Sequence, residues 1–106
     1  MTTAGAARAS EIGPGQMRII EVGGVRVALC NVDGKFYAIE DVCTHDDGPL
    51  GEGTLLPDGQ VECPRHGGRF DARTGRATQM PAIAPVRTFP VRVDGDSVII
   101  EVPHGS

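Results

Sequence analysis

Short apolar runs divided by glycine turns constrain this chain more than any other feature. "MRIIEV" (17–22) and "VRVALCNV" (25–32) are rich in β-branched residues and are separated by Gly23-Gly24. Asp33-Gly34 then separates the second run from "KFYAIEDV" (35–42). Two-residue glycine turns between such runs predict antiparallel hairpins. Pro57-Asp58-Gly59 between "TLL" and "QVEC" predicts a third hairpin, and "RFD" (69–71) a short strand before the turn "ARTG". Asp94-Gly95-Asp96 between "VRTFPVRV" and "SVIIEV" predicts the last hairpin. Pro90 inside the first of those runs marks an edge strand or a bulge, and Pro81 and Pro85 make "QMPAIAP" irregular. No 3.6-residue apolar stripe persists for three turns, so the expected fold class is all-β, with small antiparallel sheets in a sandwich or barrel-like arrangement.

Composition decides between turns and disorder. The 15 glycines and 8 prolines in 106 residues fit either, but the alternating valine and isoleucine runs fit only a folded chain. Residues 1–10 read as a flexible N-terminus or a weak first strand, 11–102 as one domain, and 103–106 as a tail. A net charge of −4, with no basic run, speaks against a nucleic-acid partner. No apolar stretch reaches the roughly 18 residues of a membrane helix. The first ten residues carry neither an apolar signal core nor a twin-arginine pair, which makes the cytoplasm the expected location and a membrane partner unexpected. Three cysteines, an odd number, do not suit a secreted disulfide framework. In a reducing compartment, cysteines beside histidines read as ligands or catalysts.

Two loops hold such pairs. Cys43-x-His45 is followed, after 17 residues, by Cys63-x-x-His66. Each pair follows a strand-like run, and the hairpin between them brings the loops side by side. Thiolate with imidazole suits zinc, iron–sulfur or copper, and not magnesium or calcium. Zinc sites commonly use two cysteines close together and two histidines close together, whereas here each loop supplies one of each. That division suits a two-iron cluster, with each loop giving its cysteine to one iron and its histidine to the other. A cysteine–histidine hydrolase fits less well, because two equivalent pairs have no use in a triad.

"CTH" followed by "CPRHGGRF" resembles the Rieske [2Fe–2S] pattern, C-x-H…C-x-x-H. More narrowly, the chain is similar to the small Rieske ferredoxins that serve bacterial ring-hydroxylating dioxygenases, over roughly residues 17–102. The resemblance implies a Rieske iron–sulfur fold of three small antiparallel sheets, with the cluster-binding loop pair at one end. It implies one [2Fe–2S] cluster per chain, held by Cys43, His45, Cys63 and His66, with the cysteine-bound iron inside and the histidine-bound iron near the surface. It implies a one-electron carrier, not an enzyme, loaded by an NAD(P)H-dependent flavoprotein ferredoxin reductase and unloaded by a terminal oxygenase. The small Rieske-like subunit of an assimilatory nitrite reductase is built on a similar scaffold and is the alternative. A zinc-stabilised interaction module comes after it.

Histidine ligands leave the oxidised cluster formally neutral, so an electron enters more readily than at a four-cysteine cluster. Hydrogen bonds to the cluster then tune the potential. High-potential relatives carry a disulfide between the two loops, and a serine and a tyrosine hydroxyl beside the cluster. The matching positions here are Gly48, Arg65, Gly68 and Phe70, so a potential at the low end of the Rieske range is expected. Gly48, Gly67 and Gly68 are expected to bring backbone N–H groups close to sulfur, and Pro49 and Pro64 to stiffen the loops. Cys30, mid-strand, reads as a small core residue. His104 reads as solvated. Asp46 and Asp47 read as loop charges or partner contacts. Phe36, Tyr37, Phe70 and Phe89 read as core.

Overall fold

The computed structural model describes residues 2–42, 53–64, 67–80, 82 and 84–103. The described residues form eleven strands and one 3-10 turn, Ala9–Glu11. In chain order the strands are β1 (Thr2–Arg8), β2 (Met17–Val22), β3 (Val25–Val32), β4 (Lys35–Glu40), β5 (Thr54–Leu55) and β6 (Gln60–Glu62). They continue with β7 (Arg69–Asp71), β8 (Ala77–Gln79), β9 (Thr88–Phe89), β10 (Val91–Asp94) and β11 (Ser97–Pro103). Three antiparallel sheets result, ordered β1-β11-β10, β2-β3-β4-β9 and β5-β6-β7-β8. The all-β class is the one the hairpin pattern predicts, and the three small sheets are those the resemblance implies.

The β2–β3–β4 sheet lies in the middle because its strands are apolar on both faces. Side chains alternate across a strand, so an unbroken run such as Val27-Ala28-Leu29-Cys30 must be covered from both sides. All four residues are fully buried. Ala28 and Cys30, with Ile39 of β4, pack towards Val61, Phe70 and Val86 on one side. Val27 and Leu29, with Ala38, pack towards Val98, Ile100 and Val102 of β11 on the other. The hairpins keep one register throughout: Met17 faces Cys30, and Cys30 faces Tyr37. Phe70 and Phe89 are core, while Phe36 and Tyr37 are half-buried against its two halves.

Two segments differ from what the pattern predicts, and one, residues 2–8, takes the strand alternative it left open. Residues 2–8, small and polar, pair along their whole length with β11, from Thr2–Pro103 to Arg8–Ser97. Backbone pairing with a strongly apolar neighbour supplies what their side chains do not. "VRTFPVRV" is not one strand: it divides at Pro90 into β9, which pairs with β4, and β10, which pairs with β11. Proline lacks the N–H a continuous ladder needs, and the chain changes sheet there. "ATQ" (77–79), read as no strand, forms β8 on β7, with a register shift between Arg69 and Phe70.

The turn after β7 depends on one glycine. Asp71 Oδ1 accepts from Arg73 N at 2.9 Å, and its carbonyl accepts from Gly75 N at 2.7 Å. The Gly75 carbonyl in turn accepts from Val86 N at 2.8 Å, pinning the 82–87 segment over the core. Gly75 has φ +77°, and a Cβ there would collide with the Val86 carbonyl oxygen. Gly15 has a similar φ of +82°, with nothing near a Cβ. Gly15→Ala is therefore expected to cost about 1 kcal/mol, the left-handed backbone alone. Gly75→Ala should cost more than about 3 kcal/mol, because the collision adds to it. Urea unfolding of the two variants beside the parent measures the difference; equal losses would mean the Val86 contact yields freely.

Candidate metal centre

Of the four sequence-predicted ligands, Cys63 is among the described residues. Cys43, His45 and His66 lie outside them, as do Asp46, Asp47, Gly48, Pro49, Arg65, Pro81 and His104. The described residues still define where both ligand-bearing stretches are rooted.

The second stretch grows from the β6–β7 hairpin. Val61 faces Phe70 and Glu62 faces Arg69. Beyond them the chain closes on itself. Cys63 N donates to the Gly68 carbonyl at 2.7 Å, and Gly67 N donates to the Cys63 carbonyl at 3.3 Å. Gly67 makes the reversal with φ +73°, a conformation costly for any residue with a Cβ. Cys63 is 3% exposed and joins the core cluster with Val61, Phe70 and Ala82. It is a free cysteine, in no disulfide.

Two features beside Cys63 bear on the hydroxyls of high-potential relatives. Phe70 is fully buried in the same cluster and brings no hydrogen-bonding atom to it. A Cβ on Gly68 would lie 3.1 Å from both the Cβ and N of Ala82. A side chain at 68 would therefore press on Ala82, which would have to give by a few tenths of an ångström. Ala82, which helps cover this end of the core, comes from the segment the sequence presents as merely irregular, while Val86 opens the strand-like run that follows it.

The first stretch begins where β4 ends. Asp41 N donates to the Arg26 carbonyl at 2.9 Å, and Val42 N to the Glu40 carbonyl at 2.8 Å. Arg26 Nε donates to Asp41 Oδ2 at 3.2 Å, and the Asp41 side chain is fully buried. At the second stretch the matching pair is Arg69 Nε to Glu62 Oε2, at 3.0 Å. Neither pair is evident as a unit in the sequence.

The donor chemistry fits a [2Fe–2S] group. A thiol leaves a strand end inside an apolar core, on a hairpin whose backbone is free of side-chain bulk at 67 and 68. The residues following it in sequence include an imidazole, and the sequence of the first stretch holds another thiol and imidazole, Cys43 and His45. Among the described residues, no three His, Cys, Asp or Glu side chains gather into a different metal site.

Comparison with known proteins agrees with this chemistry. The profile of the Rieske [2Fe–2S] domain matches residues 3–90. The ferredoxin component of biphenyl 2,3-dioxygenase from Rhodococcus jostii (strain RHA1) is 42% identical over 95 residues, 90% of this chain and 88% of that protein. The ferredoxin of carbazole 1,9a-dioxygenase from Nocardioides aromaticivorans IC177 superposes with a TM-score of 0.88 at 34% identity, covering 94% of this chain and 97% of that one. A ferredoxin solved in complex with the oxygenase of carbazole 1,9a-dioxygenase superposes at 0.83 with 40% identity, over 90% of this chain and 88% of that one. A nitrite reductase small subunit from Mycobacterium tuberculosis superposes at 0.85 over 99% of both chains, but at 18% identity it shares the fold alone.

The third cysteine stands apart from the ligand loops. Cys30 is fully buried in β3, and burial raises its thiol pKa from 9.0 to about 12. It is a core residue, as its position mid-strand predicts. Below pH 9 the thiol is protonated whether the chain is folded or not. Between 9 and about 12 only the unfolded chain loses the proton, so this contribution to stability is lost as pH rises through that window. Cys30→Ala should therefore show a shallower alkaline decline, by as much as about 1.4 kcal/mol per pH unit. Denaturant unfolding of parent and variant at stepped pH gives the two slopes; parallel slopes would mean the thiol ionises without unfolding.

Proposed function

This chain belongs to the Rieske [2Fe–2S] domain family, and from that premise we propose that it is a soluble one-electron carrier. It takes single electrons from an NAD(P)H-dependent flavoprotein reductase and delivers them to a terminal ring-hydroxylating oxygenase, in the cytoplasm. The observation that carries the reading is the identity to a dioxygenase ferredoxin component along most of both chains. A relative solved together with its oxygenase supports the oxygenase as acceptor. No helix among the described residues is long and apolar enough to cross a membrane.

The proposed ligands are Cys43 and Cys63 on one iron, His45 and His66 on the other. A bound [2Fe–2S] cluster supplies reversible one-electron chemistry. The chain's own contribution is to hold it and to set its surroundings. Cys63 offers its sulfur from inside the core, and Phe70 keeps water away behind it. The loop backbone at Gly67, with nothing near a Cβ position, leaves room for a sulfur acceptor close to the chain. With Phe70 and Gly68 in place of hydroxyl-bearing residues, nothing from these two positions stabilises the added electron. The potential then falls near the low end of the roughly −150 to +300 mV range of Rieske centres.

The alternative is the small subunit of a nitrite reductase, favoured by fold likeness alone. Its distinguishing property is association with a sirohaem enzyme. The test is chemical and spectroscopic. Purified protein should be red-brown, hold about two irons and two labile sulfides per chain, and give a rhombic EPR signal on reduction. The midpoint should lie below zero. Cys63→Ser should abolish the visible spectrum. Colourless protein loaded with zinc, or Cys63→Ser with an unchanged spectrum, would overturn the reading; copurification with a sirohaem enzyme would favour the alternative.

A further inference from the structure

Each ligand-bearing stretch is rooted by an arginine–carboxylate pair. At the first, Arg26 holds Asp41, two residues before Cys43, through its side chain at 3.2 Å and through the Asp41 N–H to its carbonyl at 2.9 Å. At the second, Glu62 and Arg69 face each other across β6 and β7, immediately outside residues 63–68. Both Nε and Nη2 of Arg69 lie 3.0 Å from Glu62 Oε2. The pair is about one-third exposed on each side, 32% and 33%.

Such a pair adds little to global stability, about 1 kcal/mol or less after screening by water. Its position gives it a different use. The ladder between β6 and β7 ends at Glu62–Arg69, and beyond it, among the described residues, backbone bonds between Cys63, Gly67 and Gly68 hold the loop. Arg69 also pairs with Gln79 of β8, whose side-chain N–H reaches the Gly67 carbonyl at 3.3 Å. Arg69 thus joins β6, β8 and the loop. A paired arginine and carboxylate projects almost no net field, so the pair orders its surroundings without biasing a nearby redox group.

We propose that the Glu62–Arg69 pair is a positioning clamp for the base of the second ligand loop, fixing Cys63 towards the cluster. The inference rests on the reading of Cys63 as a ligand. Glu62 and Arg69 touch no iron in this role; they act through the loop they close.

The test compares Glu62→Gln, Arg69→Gln and the exchanged pair Glu62→Arg/Arg69→Glu in the full-length loaded protein. Loss of colour to a ferrous chelator should run about fivefold faster in each single variant, the rate equivalent of one partly exposed ion pair. EPR lines should broaden in both. The midpoints should move apart, upward where Arg69 is left unpaired and downward where Glu62 is. The exchanged pair should restore chelator resistance to within about twofold. Glu62→Asp, which keeps the charge and shortens the reach, serves if Glu62→Gln does not fold. It should speed release with the midpoint unmoved. Single variants matching the parent in release and EPR, or an exchanged pair as labile as the singles, would overturn the clamp. A parent protein that takes up no iron would instead overturn the carrier reading, before any variant is compared.

Discussion

The double burial of the central sheet is the constraint on which the other parts depend. A strand reading Val27-Ala28-Leu29-Cys30 cannot face water on either side, so two further sheets must cover it. One cover is β1-β11-β10, whose inward residues Val98, Ile100 and Val102 are fully or almost fully buried. The other is β5-β6-β7-β8, which carries Val61, Cys63 and Phe70. Cys63 owes its burial to this arrangement. It sits in the same cluster as Ala28, Cys30 and Ile39 because β6 must lie on that face to complete the core.

The Cys63 end of the third sheet therefore inherits rigidity from core packing. The hairpin that bears Cys63 is only three residues a side, too short for stability by itself. It is held by Phe70, fully buried beneath it, and by the 82–87 segment pinned through Gly75 and Val86. A thiol at such a strand end cannot wander. A redox group that must lose and regain an electron benefits from ligands that do not rearrange, since reorganisation slows transfer. Near the loop, Glu62 and Arg69 pair with each other, and the Gln79 side chain donates to the Gly67 carbonyl.

Much of the fold was legible in the sequence because its signals are local. The bounds of β2 and β3 follow from the two valine- and isoleucine-rich runs and the Gly23-Gly24 turn between them. Pro90 was legible as a break, but not as a change of sheet, because which neighbour each half chooses depends on distant strands. β8 was hidden: Ala77, Thr78 and Gln79 are partly or fully exposed, so they carry no apolar alternation, and their pairing with β7 comes from Phe70's demand for cover. β1 was obscure for a similar reason, since its small residues are ordered by β11. At the candidate metal centre, the sequence spacing singles out Cys63 and His66, and the structure adds that Cys63 is buried at a strand end. The covering role of Ala82, and the pairing of Glu62 with Arg69 and Arg26 with Asp41, arise only when separate strands meet.

One consequence links the core to the redox chemistry. In a protein of this family the potential is set partly by hydroxyls near sulfur, and one might suppose that a hydroxyl could be restored at either position independently. The packing argues otherwise at 68. A side chain there meets the Ala82 backbone at 3.1 Å, and Ala82 belongs to the segment whose neighbour Val86 is tied to Gly75. Making room at Gly68 means moving a piece of chain that seals the core over Phe70 and Cys63. At 70 the ring is buried whole, so a phenolic oxygen would need a polar partner in an otherwise apolar cluster. The two positions are thus bound to the same packing solution, in which the third sheet closes over the central one.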